Sequence, residues 1–519
     1  MRTRGIIVKI QKIRRYGMKK WTMSIILCLF SFLLLACGGK EAVEGEKKDT
    51  LVYAQISEGK TLDPQDTTEQ YSQRSVSLIY SRLVEINEKT GGIDPGLARS
   101  WERPNPNEII FHLRNDVKFS NGYDFTAEDV KFTIERAQSL PKVAHLYKPI
   151  TEITILDPYT ISLKTTEAFA PLLNHLTHKT SSILSKKYYD EVGDKYFENP
   201  VGTGPYMLKE WKIGDRLELE ANPNYFDGEP SIKHVVFRAI PEESTKVIGL
   251  QTGEIDMVGD VEAVSRETIA ADDNLGLIEG SSVNTIYLGM NTERKIFADK
   301  EVRKAISMGV NRDDIVNSLL AGAGQKANSF LAPTVFGYSK DSKVYEYNPE
   351  EAKKIIAEKG LVGSKIKIAV SNSQLRSQMA EIIQAQLKEI GLEVSIENLE
   401  WGTFLSATAN GDVDMFILGW GPSTYDGDYG LFPNFHSSQK GGEGNRSQYA
   451  NPKMDQLLED ARKEMDVEKR RSLYIEATDL INEEAVVLPL YYPLTSVGYN
   501  KALKGVEAES YPMIHKYSY

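Results

Sequence analysis

From residue 284 onward the chain alternates short apolar runs with amphipathic stretches, and this texture restricts the available folds more than any other feature. Residues 286–290 (IYLGM), 366–370 (IKIAV), 392–396 (LEVSI) and 415–420 (MFILGW) read as strands. Between and after them, 300–308, 312–320, 374–390, 452–465 and 468–483 read as helices; in 374–390, Met379, Ile382, Ile383 and Leu387 share one face. Two terminal strands are expected at 486–492 and 495–499. Strands that alternate with helices require sheets covered by helical layers, an α/β architecture. Earlier in the chain the pattern gives a strand at 51–54 and a helix over 72–87, with Val76, Ile79, Leu83 and Val84 on one side. Short strands flank the Asp157-Pro158 turn within 150–165. No tandem repeat of the length used by solenoids or propellers is present.

The amino terminus belongs to a different regime. Met18-Lys19-Lys20 precedes an apolar run over 21–35, and Ala36-Cys37-Gly38-Gly39 follows. That run falls short of the roughly 20 residues a membrane-spanning helix needs. A basic segment, a short apolar segment and a small residue are the parts of a secretory signal. Met18 is the natural start, and residues 1–17 are basic and free of acid. Leu34-Leu35-Ala36-Cys37 resembles a lipobox, which implies cleavage after Ala36 and a diacylglycerol on Cys37. Residues 38–49 are charged and nearly devoid of apolar side chains, and read as a flexible tether.

Loss of residues 1–37 removes eight basic residues and no acidic ones, leaving 54 basic against 73 acidic and a net charge of −19. Such a surface is a poor match for nucleic acid, where affinity comes from basic contacts to phosphate. Cys28 leaves with the signal and Cys37 is taken by lipid, so no thiol remains for disulfide, redox or metal chemistry. The mature length exceeds what one core supports and implies two or three domains. No later apolar run is long enough to cross a bilayer.

Catalytic and cofactor motifs fail on context. Gly322-x-Gly324-x-x-Ala327 follows an expected helix rather than a strand, so it is no dinucleotide fingerprint. Asp426-x-Asp428 with Gly430 lacks the acid a calcium loop needs at its twelfth position, which is Ser437. His175 and His178 could share a helix face, but without a nearby carboxylate or Cys they read as ordinary core or surface residues. There is no HExxH, P-loop or nucleophile elbow. A secreted hydrolase with carboxylates distant in sequence remains as a remote alternative, and no cofactor or metal site is expected.

Residues 97–130 read LARSWERPNPNEIIFHLRNDVKFSNGYDFTAEDV. Alternation through 108–114 gives a half-buried strand, Asn121-Gly122 a turn, and Thr126 a helix cap with an acid three residues on. The wording resembles the signature of the family 5 extracellular solute-binding proteins, the peptide and nickel receptors of bacterial ABC importers. VGTGPY at 201–206 and NPNYFDG at 222–228 resemble the same family in the same order. The resemblance implies the type II periplasmic-binding-protein fold, with two α/β lobes, a hinge and an inserted extra domain. Lobe I is expected at 50–82, 195–288 and 482–519, the insert at 83–194 and lobe II at 289–481. It also implies a monomeric receptor that delivers short peptides to ABC permease subunits served by cytoplasmic ATPases. A receptor for nickel or a metal chelate shares the fold; the seven His of the chain disfavour it.

One segment carries the candidate site. The 416–420 strand runs into a loop rich in Gly, aromatic and acidic residues, as at a cleft rim in an α/β lobe. An Asp there can pair with a peptide ammonium while Trp420 and Tyr425 wall the pocket; the plainer alternative is a turn whose acids cap backbone amides. The resemblance places the ammonium on Asp428, with Asp426 in reserve, and the peptide carboxylate on Arg376. Arg suits that task because its planar fork holds a carboxylate bidentately. Trp401, Thr68 and Tyr71 are further pocket candidates.

Overall fold

Two runs of strand meet on one long strand near the carboxyl end, Val487–Asn500. The computed structural model describes residues 48–519 except residues 68, 88–89 and 443. Cys37, the preceding signal and most of the tether lie outside the described residues, as does Thr68. Among the described residues no helix is long and apolar enough to cross a membrane.

On one side of the long strand, its residues 487–491 pair antiparallel with Thr285–Met290, which is followed in the sheet by Met415–Trp420, Lys365–Ser371 and Glu393–Leu399. The last three run parallel, and Ile366, Ile368 and Val370 are buried between helical layers, as a sheet covered on both faces requires. On the other side, residues 494–500 pair with Leu275–Ser281 and residues 497–499 with Met257–Gly259. The sheet continues through Thr50–Gln55, His234–Ala239, Arg216–Ala221 and Tyr206–Lys212. A separate four-stranded antiparallel sheet holds Ala98–Asn105, Glu108–Leu113, Thr160–Thr165 and Ile150–Asp157, in that order. The Ala127–Ser139 helix begins on a reciprocal cap, in which the Thr126 amide donates to Asp129 Oδ2 at 2.9 Å.

Three element readings change. The terminal strands expected at 486–492 and 495–499 are one strand, because Pro493 marks the point where it changes partners. The 72–87 helix covers only Gln70–Ile79. The chain then extends at Tyr80, and the Gly204 amide donates to the Ile79 carbonyl at 2.9 Å. A side chain at Gly202 or Gly204 would collide with that carbonyl, which accounts for the glycines in VGTGPY. The 312–320 stretch is a widened turn over Asp314–Leu319, with the Leu320 amide bonded to the Ile315 carbonyl five residues back.

One apolar core lies under the four-stranded sheet and the adjoining strands, from Leu51 and Tyr53 to Phe111, Phe119 and Leu163. Two others cover the faces of the 285–290 and 415–420 strands: one holds Ile368, Met379 and Ile383, the other Phe416, Tyr474 and Ile481. Trp420 packs against both the first core and the Phe416 core, and Tyr429 belongs to the first although its helix follows Trp420.

Candidate functional site

Met415–Trp420 is an interior strand, and beyond its carboxyl end the chain must turn sharply. The turn is made by Tyr425 in the left-handed region at φ 56°, and Asp426 then caps the Gly427–Phe435 helix by accepting from the Asp428 amide at 2.9 Å. Left-handed backbone is unfavourable for a bulky residue and persists where its surroundings fix it. Here the Tyr425 amide donates to the Pro422 carbonyl at 2.8 Å, and its own carbonyl accepts from the Phe336 amide at 2.9 Å.

The two acids of this turn are buried and paired internally. Asp426 accepts from Arg470 Nη2 at 2.5 Å, and that guanidinium also donates to the Tyr474 hydroxyl at 3.0 Å. Asp428 accepts from Arg462 Nε at 2.7 Å and Nη2 at 3.2 Å, while His175 Nε2 lies 2.9 Å from its Oδ2. Burial acts to raise the Asp428 pKa, but Arg462 and His175 outweigh it and hold the carboxyl far below its usual range. The sequence reading set this pair at a ligand ammonium; in the structure each acid is only 1% exposed and its cationic partner is one of the protein's own guanidinium groups. Arg462 and Arg470 lie 34 and 44 residues along the chain, on the Pro452–Lys463 and Val467–Glu483 helices. Nothing local in the sequence announces those partners.

The turn also binds the structure around residues 143–181. The Asn174 amide donates to the Thr424 carbonyl at 3.2 Å, the Ala170 amide to the Arg462 carbonyl at 2.7 Å, and Lys463 pairs with Glu167 at 3.0 Å. The Tyr429 ring stacks on His145 at 6.2 Å and meets His178 edge-on at 5.4 Å. Burial lowers His178 to about 3, so it is neutral at pH 7, whereas His145 is exposed. His175 and His178, read from the sequence as ordinary core or surface residues, are buried members of this contact.

Arg376 stands in contrast. It enters near the start of the Gln374–Glu389 helix and reaches the Thr285–Met290 and Met415–Trp420 strands, where a Cβ on Gly419 would lie 3.6 Å from its Nη2. Its Nη1 is buried without a hydrogen-bond partner, and no acid pairs with it among the described residues. Burial lowers its pKa, with the Tyr491 and Tyr287 hydroxyls acting the other way. Arg376 is thus half-buried, with a buried and unpartnered Nη1 at a helix amino end and beside strand backbone.

The remaining candidates are dispersed. Trp420 is half-buried and spends its indole N–H on the Tyr429 carbonyl at 2.9 Å. Trp401 is 44% exposed and stacks on Phe404 at 5.9 Å. Glu400 before it caps the Trp401–Ala409 helix through the Gly402 and Thr403 amides; these bonds first, and Lys60 after them, lower its pKa. Tyr71 is half-buried beside Arg74, whose guanidinium sits 5.6 Å from its ring and pairs with Asp260 at 2.8 Å. Burial and then Asp260 push the Tyr71 hydroxyl up to about 12. Arg74 and Asp260 escaped sequence reasoning because they lie 186 residues apart.

The fold and these side chains can be set beside known proteins. Residues 92–442 match the model for bacterial extracellular solute-binding proteins, family 5. The chain belongs to this family. It is 30% identical over 491 residues to the dipeptide-binding protein of Escherichia coli K12, covering 88% of this chain and 91% of that one. It resembles the structure of the ABC transporter-associated periplasmic binding protein DppA from Helicobacter pylori, in complex with peptide STSA. The TM-score is 0.81 at 30% identity, covering 90% of this chain and 98% of that one. NikZ from Campylobacter jejuni, in complex with Ni(L-His), matches with TM-score 0.80 at 26% identity over 91% and 100% of the two chains. This solute-binding protein therefore has the type II periplasmic-binding-protein fold and is the substrate-binding component of a peptide-type ABC importer, not an enzyme.

Proposed function

We propose that this solute-binding protein captures short peptides outside the membrane, grips the peptide carboxylate with Arg376 and hands the cargo to its permease. The observation that carries the reading is the buried Arg376 Nη1 with no partner. A buried cationic N–H left bare is costly, and a ligand carboxylate would offset that cost on binding. The similarity to peptide-binding relatives supports a peptide as the bearer of that carboxylate. Asp426 and Asp428 then shape the rim instead of contacting the cargo, and Trp420, Tyr425, Trp401 and Tyr71 remain as wall candidates. Closure would turn about the two places where the chain passes between the halves of the sheet, residues 282–284 and 493–494, which moves residues 285–288 and 482–492 from lobe I, as the sequence divided it, to lobe II. Cys37 carries the lipid that tethers the body to the cell membrane. Cys37→Ser is expected to give unprocessed precursor or a soluble form, read by membrane fractionation.

Calorimetry with a tripeptide and its carboxyl-terminal amide tests the central point. The amide is expected to bind about 2–5 kcal/mol more weakly. Equal affinities would remove Arg376 from the role of carboxylate holder. A second reading, a nickel–histidine complex, draws on the likeness to NikZ, and such a complex also bears a carboxylate. It requires saturable binding of histidine that appears only when nickel is added and vanishes with a chelator.

A further inference from the structure

A cavity of about 520 Å³ lies apart from Arg376: its lining comes from parts of 77–87, 94–96 and 505–517 and from residues 114, 179, 205 and 225–227. The volume falls within the range of small-molecule sites. Arg82 lines it and is 5% exposed. Its Nη2 pairs with Glu85, while Nε and Nη1 are buried without partners. His515, on the opposite stretch of chain, leaves its Nδ1 buried and unpartnered as well, with its ring edge-on to Tyr225 at 5.7 Å. Aromatic walls complete the enclosure: Arg114 lies 4.8 Å from the Phe226 ring centroid and Lys179 lies 4.7 Å from that of Tyr511.

Buried polar groups normally find partners, and buried cationic N–H groups most of all. The Arg82 pair of open donors calls for an anionic acceptor, and the neutral Nδ1 of His515 can add one further bond. Glu85, Asp94 and Asp227 also line the space, so the same cavity offers carboxylates to a cation. Donors, carboxylates and aromatic faces in one cavity match a small zwitterion with an apolar side chain. We propose that this cavity is a second ligand site for a free α-amino acid, whose carboxylate is held by Arg82 and His515 and whose side chain lies among the aromatic rings. The site does not depend on the peptide reading of the Arg376 region.

Calorimetry of the full chain with L-phenylalanine as probe tests the proposal. One equivalent is expected to bind wild type and Arg376→Gln alike. Arg82→Gln and His515→Phe are each expected to weaken the probe about tenfold or more, since each removes a bond to a charged acceptor. Phenylalanine amide, lacking the carboxylate, is expected to bind wild type correspondingly poorly. If Arg82→Gln does not fold, the half-buried His515→Phe variant decides alone, because it keeps an aromatic ring in place. Absence of saturation at millimolar probe would overturn the proposal and leave a water-filled space. Binding that Arg376→Gln abolishes and His515→Phe leaves intact would overturn it too, since the probe would then be sitting in the Arg376 site.

Discussion

The turn at Asp426–Asp428 and the side chain of Arg376 flank the same strand, yet they treat charge in opposite ways. In the turn, both acids meet a guanidinium, and a histidine completes the shell of one. Arg376 is half-buried beside strand backbone, and its buried Nη1 has no partner. Paired buried charges hold structure together, and removing one partner strands the other. An unpaired buried N–H of a cation weakens the empty protein and gains its partner only with ligand, which marks a binding site more sharply than charge itself.

That contrast can be broken by mutation. Asp428→Asn should lower unfolding free energy by about 3–5 kcal/mol, because Arg462 then lies against a neutral amide. Denaturant titration measures this, and an unchanged midpoint would show that the turn does not depend on the pair. Arg376→Gln should do the reverse: stability of the ligand-free protein holds or rises, while affinity for a free-acid peptide falls by about 2–5 kcal/mol. A large loss of stability with unchanged affinity would make Arg376 a structural residue.

Acidity gives a gentler probe. His178 has a folded value of about 3 against an ordinary 6.5, so between 6.5 and that value the unfolded chain takes up a proton that the folded one does not. Stability contributed by its neutral burial is present above 6.5 and is lost as pH falls, by about 1.4 kcal/mol per pH unit. Asp428, also depressed, adds to the loss below its unfolded value near 4. Unfolding midpoints measured from pH 7 to pH 4 should fall, and less steeply in His178→Gln; a flat profile would contradict the neutral burial. The smallest effect is expected at Trp401, where exposure limits Trp401→Ala to about 0.5 kcal/mol of stability in the same titration.

What could be read from the sequence divides along chemical lines. Strands such as 366–370 and 415–420, and the 374–390 helix, were legible because their burial imposes a period on neighbouring residues. The cap at Thr126 was legible because its partner lies three residues away. The overlong 72–87 helix was not, since its end is set by backbone packed against it from residues 202–204. The candidate loop was found, but the fate of its acids was not. Loop composition names the charges, whereas Arg462, Arg470 and His175 reach them from elements that only the fold brings near. Arg376 was identified through the resemblance, and its lack of a partner is visible only in three dimensions.

The strand Val487–Asn500 also bears on how such a chain comes into being. Both halves of the sheet hydrogen-bond to it, and every other strand of that sheet precedes it in the chain among the described residues. A growing chain thus makes those strands before the central member they share, and some of them wait hundreds of residues for their neighbour. Long-range pairing of this sort delays folding. A polypeptide sent through a membrane pore as an open thread gains from that delay, because it has little native structure to unravel on the way. Chains cut just before Val487 are accordingly expected to remain sensitive to protease throughout, and full-length chains to acquire resistance in one late step.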